Sequence, residues 1–282
     1  MSRFIPLAAL ALILSGSVWL HAQEAAPATK LVDPTADIPT PETPKPPEDP
    51  NEAPKESLSP DIPGLTRLSK DGDIWIDMKR KIVVMDGRIA CREGQLEMFA
   101  CPRGTKEHES VVAVNAKPSI AHAALLAVGA KAGTPVKFDP KYVPASGTTV
   151  EILVLWKDKD GKNQKMRAQE FIKQIKTGKA MEYDWVFAGS GFWLDEETGV
   201  KHYHGDSGDF ICVSNFPTAT LDLPVKSSQE NTNLLFEANT AKIPAKGTKV
   251  RLVMIPQPEK KAEEKKDAPE QPKPEVKSEE TK

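Results

Sequence analysis

Between about residues 62 and 256 the chain alternates short apolar runs with turn-forming residues. Ile74–Ile76, Ile82–Met85, Leu96–Phe99, Val111–Val114 and Val150–Trp156 are β-branched, aromatic or alternating, and Gly, Pro, Asp or Asn stands near their ends. Trp185–Phe187, Phe210–Val213 and Val250–Met254 continue the series. Runs of this length and composition predict strands. Asp158-Lys-Asp160-Gly161 predicts a hairpin turn; it resembles part of a calcium loop, but the terminal Glu of such a loop is missing. Helical patterns are fewer. Ser119–Ala130 is rich in Ala and Leu, with Ser119 as its cap, and Ala168–Thr177 and Gln229–Ala238 are two more candidates. The expected fold class is α+β, dominated by β-structure, with a few short helices.

The two ends differ from this middle. Met1-Ser2-Arg3 precedes an apolar run, Phe4–Leu20, and Leu20-His21-Ala22 supplies a small residue for cleavage. That order predicts a signal peptide over residues 1–22. About 20 apolar residues span a bilayer, so the alternative is that the run stays as an anchor. Residues 23–62 carry a series of prolines from Pro34 to Pro54 in an acidic, aromatic-free context. Such a stretch buries too little apolar surface to offset chain ordering and predicts a disordered, extended spacer. Residues 257–282, mixing Lys, Glu and Pro, predict a second disordered arm. The folded domain is expected over 63–256.

Within that domain, segments echo each other. Pro144–Val154 recurs as Pro244–Met254, Val112–Pro118 as Ile211–Pro217, and Thr134–Val136 as Leu223–Val225. The kept order suggests an internal duplication into two similar β-rich lobes, about 73–180 and 181–255, sharing one core. Convergent use of Pro-x-x-Gly-Thr as a turn into a strand is the alternative.

Charge and chemistry narrow the function. Lys plus Arg total 38 against 40 Asp plus Glu, a net charge of -2. Nucleic-acid binding, which needs a basic face, is not expected. Lys106-Glu107-His108-Glu109-Ser110 is a polar patch before an apolar strand; Glu107, His108 and Glu109 could do acid–base work, bind a ligand or lock a turn. His122 lies among Ala and Leu on a predicted helix, where a satisfied core histidine is the commoner outcome. His202, His204 and Asp206 alternate, so a strand would put all three on one face as a metal set, completed by His108 or His122. Gly205-Asp-Ser207-Gly208 has the form of a serine-nucleophile signature, but it also has the composition of a turn. Export places the three cysteines in an oxidising space. Cys91 and Cys101 are the first choice for a disulfide and Cys101–Cys212 the alternative. Aromatic residues gather at Trp185, Phe187, Phe192, Trp193 and Tyr203, where core burial is the default; if several were exposed together they would make a sugar- or peptide-binding surface.

Gly94–Glu97, Thr105–Ser110, His122–Gly129 and Trp185–Phe192, in that order, resemble the YdjY-domain family of exported bacterial proteins. The resemblance covers about Asp73–Pro256. It implies a cell-envelope location and an uncharacterised function. Some members carry a ferredoxin-type name, but a cluster needs four Cys or two Cys and two His. Cys91, Cys101 and Cys212 lack that spacing, and no cofactor is expected.

The expected role is a non-enzymatic envelope module that binds a ligand or protein partner or acts as a scaffold. It would touch the membrane only through an uncleaved N-terminal segment. The rival is a metal-dependent enzyme using His108, Glu109, His202, His204 and Asp206.

Overall fold

Apolar runs that alternate on both faces need cover on both sides, and a closed barrel with a strap across its outer wall supplies it. The structure is a computed structural model, and it describes residues 33–42, 58–228 and 234–258. From Pro34 onward these belong to one compact unit. In chain order the elements are β1 (Thr66–Arg67), β2 (Ile74–Asp77), β3 (Ile82–Ile89), β4 (Met98–Pro102), β5 (Ser110–Val114), α1 (Pro118–Ala127), β6 (Thr149–Lys157) and β7 (Asn163–Arg167). They continue with β8 (Ile172–Gln174), β9 (Trp185–Phe187), β10 (Phe192–Leu194), β11 (Lys201–Tyr203), β12 (Ile211–Cys212), β13 (Leu221–Asp222), β14 (Phe236–Ala238) and β15 (Lys249–Pro256). None of the described helices is long and apolar enough to cross a membrane. The run Phe4–Leu20 lies outside the described residues, as does most of the C-terminal arm.

Eight strands close on themselves in the order β3-β15-β6-β9-β13-β12-β4-β5 and back to β3. Closure depends on Gly87. Ile82–Met85 of β3 pair with β2, whereas Gly87–Ile89 pair with β5. A Cβ on Gly87 would sit 2.6 Å from the Ala113 carbonyl oxygen and 3.1 Å from the Val114 Cα. No other residue lets β5 approach this closely.

The halves interleave rather than forming the two expected lobes, because β15 from the C-terminal end lies between β3 and β6. The strand pairing nevertheless repeats. In β3-β4-β5-β6 the first strand is antiparallel to the third and the second is parallel to it. In β9-β12-β13-β15 the same two relations hold. The halves meet antiparallel at β3–β15, β6–β15, β6–β9 and β4–β12. In this scheme the echo Pro144–Val154 with Pro244–Met254 falls on equivalent strands, β6 and β15. The echo Val112–Pro118 with Ile211–Pro217 does not, since it sets β5 against β12 while the counterpart of β5 is β13.

The barrel interior holds Val83, Met85, Val150, Ile152, Val154, Val250, Leu252 and Met254, together with Ala121 and Leu125 of α1. The alternate positions Ile82, Val84, Leu155 and Val253 face outward with Trp75 and are buried too. Their cover is Ile62 and Ile38. Ile38 belongs to a stretch inside the expected spacer. Here Pro34–Asp37 turn, Thr40 Oγ1 donates to Asn163 Oδ1 at 2.7 Å, and the Pro39 carbonyl accepts from Arg251. Arg251 in turn clasps Asp86 through two bonds of 2.6 and 2.7 Å, with both side chains only 4% exposed. Its guanidinium lies 5.6 Å from the Trp75 ring, and that of Arg67 lies 4.5 Å away. Breaking such a buried pair from one side costs about 3–5 kcal/mol, because the other charge stays buried.

Two helical expectations fail. Ala168–Phe171 forms only a 3-10 turn before β8, and Phe236–Ala238 form β14. The two strands pair, Ile172 opposite Ala238, so long-range pairing of buried residues overrides local helical propensity. Residues 229–233 of the third predicted helix lie outside the described residues. The hairpin at Asp158–Gly161 and the helix α1 form as expected.

Replacing Gly87 with Ala is expected to lower unfolding free energy by about 1–3 kcal/mol, the usual cost of forcing an extra group into a packed site. Urea unfolding measures this, and an unchanged midpoint would show that closure does not depend on Gly87.

Candidate functional site

The polar patch at Lys106–Ser110 joins β4 to β5, and Glu107–Glu109 form one 3-10 turn rather than an extended stretch. Glu107 accepts from the Gly104 N–H at 2.9 Å and from Arg88 at 3.3 Å. Burial pushes its carboxyl up, but these donors win and hold it below the usual range. His108 points to solvent, its side chain 79% exposed, with Nε2 3.8 Å from Glu109. Glu109 turns inward, its side chain 16% exposed, and burial first, then the charge of Glu109, raises the Glu97 carboxyl. Lys106 anchors the group. Its Nζ donates to Asp209 at 2.8 Å, lies 3.8 Å from Glu97 and sits 4.9 Å from the Phe216 ring centroid. The patch is thus an ion-pair lock between the β4–β5 turn and the segment before β12.

The expected metal set disperses because β11 ends at Tyr203 and His204–Ser207 coil into a 3-10 turn. His202 stacks on Trp193, ring centroids 4.6 Å apart. Asp206 accepts from the Ser119 N–H and Oγ, both at 2.8 Å, and so caps α1. Ser119 is not the cap itself; it is held by one. Among the described residues no group of three His, Cys, Asp or Glu is placed to hold a metal ion. The Gly205–Gly208 segment is a turn, and a Cβ on Gly208 would lie 2.9 Å from the Lys106 side chain.

His122, the half-buried helix residue, bonds Tyr203 Oη through Nδ1 at 3.0 Å and packs edge-on against Phe187. Burial pulls its pKa below the ordinary value, with the Gly189 carbonyl opposing. Tyr203 also reaches Thr220 at 3.1 Å, and burial pushes its phenol up to about 12. This is a satisfied core network.

All three cysteines are free. The Cys91–Cys101 bridge does not form: Cys91 hydrogen-bonds the Glu93 carbonyl, while Cys101 is buried with Met98, Cys212 and Ala219. The alternative partners, Cys101 and Cys212, share that apolar cluster without being bonded.

Two surface features carry more binding potential than these residues. The hairpin β10–β11 stands outside the barrel sheet. On it Phe192, Trp193, Leu194 and Val200 are 53%, 44%, 59% and 49% exposed. Phe192 packs on Tyr203 and is covered by Lys201, while Asp195 locks the turn by accepting from the Glu197 and Thr198 N–H groups. The aromatic gathering in the sequence pointed here, although Trp185 and Phe187 are core. The second feature is a groove of about 980 Å³ beside the start of β6, with Arg167, Tyr183 and Asp184 in its wall. Nothing in the sequence singled out these residues, which are ordinary surface types in isolation.

A single closed barrel, capped by one helix and carrying an aromatic hairpin outside its wall, defines the class of protein. Residues 74–255 match the family model described as the YdjY domain, and the chain belongs to the YdjY-domain family. No curated protein and no solved structure matches it.

Two tests follow from this geometry. Asp222, on β13, is buried against Asn215, and burial raises its carboxyl from 3.8 to about 7. A carboxyl raised on folding favours the folded state at low pH, and this advantage is lost as pH rises from 3.8 through about 7. Asp222→Asn should therefore stabilise the protein most above pH 7, by up to about 4 kcal/mol, and little near pH 4. Thermal melts across that range check it, and a pH-independent effect would contradict it. Purified protein should also melt at the same temperature with and without a chelator, since His202, His204 and Asp206 do not converge on one point among the described residues. A downward shift on chelation would restore the metal reading.

Proposed function

We propose that this is an exported envelope module that binds a protein partner through the β10–β11 hairpin. One observation carries the reading: four apolar side chains are exposed on one short hairpin, Phe192 and Leu194 on one face and Trp193 on the other, and its strands are tied by the Phe192–Tyr203 and Trp193–His202 ring contacts. Exposed apolar residues concentrated on one element mark interaction sites more often than chance. A two-stranded sheet also offers edge backbone groups to an extended peptide, which can add as a third strand. The adjoining turn carries Asp195, Glu196 and Glu197, so the partner segment is basic and apolar in alternation. The apolar run Phe4–Leu20 supports export, as a cleaved signal peptide or a retained anchor. The repeated strand pairing supports an origin by internal duplication.

The test uses the full chain and two synthetic peptides, one alternating Lys with Val and one alternating Glu with Val, followed by fluorescence anisotropy. The Lys–Val peptide should bind, weaken with added salt, and lose about tenfold or more in affinity in Trp193→Ala or Leu194→Asp. Equal binding of both peptides, or no response to either substitution, overturns the reading.

A further inference from the structure

We propose that the groove beside β6 is a binding site for a neutral oligosaccharide, independent of the hairpin. It is the chemistry of the walls that selects this ligand. The groove, at about 980 Å³, lies at the upper end of ligand-pocket sizes and suits an elongated molecule better than a small metabolite. Its floor is main chain. A Cβ on Gly147 would lie 2.1 Å from the Phe187 carbonyl oxygen, and one on Gly133 would lie 2.1 Å from that of Ser146. Thr148 closes the same crossing by accepting the Lys131 N–H at 2.8 Å. Three backbone segments therefore meet with no side chain between them, which makes the floor rigid.

Carboxylates outnumber cations in the wall, with Glu151, Glu182 and Asp184 against Arg167 and Lys131. Arg167 donates to Asp184 Oδ1 at 2.6 Å and lies 3.7 Å from Glu151 Oε1. Gln257 donates to the other Glu151 oxygen at 3.2 Å. An anionic ligand would have to compete with two carboxylates for Arg167. The wall also carries apolar surface, from Ala132, Pro224, Pro258 and Tyr183, which suits the C–H faces of a sugar. Beside it stand the planar carboxylate, guanidinium and amide groups of Glu151, Asp184, Arg167 and Gln257, which keep hydrogen-bonding capacity. At the rim stands Tyr183, an exposed aromatic. Planar polar groups that pair with neighbouring hydroxyls, next to an aromatic ring that packs on C–H faces, are the requirements for holding a neutral sugar chain.

The experiment titrates the full chain calorimetrically with the tetrasaccharides of β-1,4-linked glucose, α-1,4-linked glucose and β-1,4-linked N-acetylglucosamine, and with tetragalacturonate as the anionic control. At least one neutral tetrasaccharide should bind, and tetragalacturonate should bind more weakly. Tyr183→Ala and Arg167→Met should each weaken the neutral ligand about tenfold or more, with melting temperatures near that of the parent. Trp193→Ala should leave saccharide binding unchanged, which separates this site from the hairpin. No binding of any neutral tetrasaccharide up to about 10 mM overturns the proposal. So does tighter binding of tetragalacturonate, or binding that survives both groove substitutions.

Discussion

The close approach of β3 and β5 at Gly87 decides the architecture. One edge of β3 serves two partners, β2 for its first half and β5 for its second, while its other edge runs along β15. Without closure the eight-stranded ring would open into a sheet with unpaired edge groups on β3 and β5, which favour association with other chains. The missing side chain at one position therefore sets the shape of the whole domain. The interleaving of β15 between β3 and β6 is part of the same closure, and it is why the two halves cannot separate into lobes.

Closure leaves an apolar outer wall on β3, β6 and β15, and this wall is covered by chain from outside the barrel. Ile38 and Ile62 lie over Trp75, Ile82, Val84 and Val253. Arg251 ties the cover to the barrel: it pairs with Asp86 within the wall and donates to the Pro39 carbonyl above it. The ring of Trp75 sits between Arg251 and Arg67, and Arg67 also bonds the Ser59 carbonyl. Charge that would be costly to bury alone is stabilised because every partner is present.

The histidines and carboxylates that stand out by type are mostly spent on structure. Asp206 caps α1, His122 completes a hydrogen-bond network with Tyr203, and Lys106 with Asp209 locks the end of the barrel. A polar group near a buried strand needs partners whatever its chemistry, and this protein supplies them from distant parts of the chain. The surfaces with unspent potential are made of commoner residues, at the β10–β11 hairpin and in the groove beside β6.

The amino-acid sequence by itself determined β2, the barrel strands other than β13, the helix α1, the Asp158–Gly161 hairpin and the family. Each of these depends on local pattern: the period of the apolar residues, turn chemistry, or a run of motifs in order. It also showed an aromatic gathering over 185–203, because clustered aromatics are visible without knowing the fold, but not which of its rings would be exposed. Tertiary structure alone decided which strands meet, and so which side chains do. Ile172 and Phe171 became strand and turn because Phe236–Ala238 arrived beside them. Residues 34–42 became cover because the barrel left an apolar wall exactly where nothing local announces it. His202, His204 and Asp206 parted because the chain coils after Tyr203, and Arg167, Glu151 and Asp184 met because β6, β7 and the segment before β9 run side by side. Proximity between residues far apart in sequence is set by closure and packing, and no local pattern encodes it.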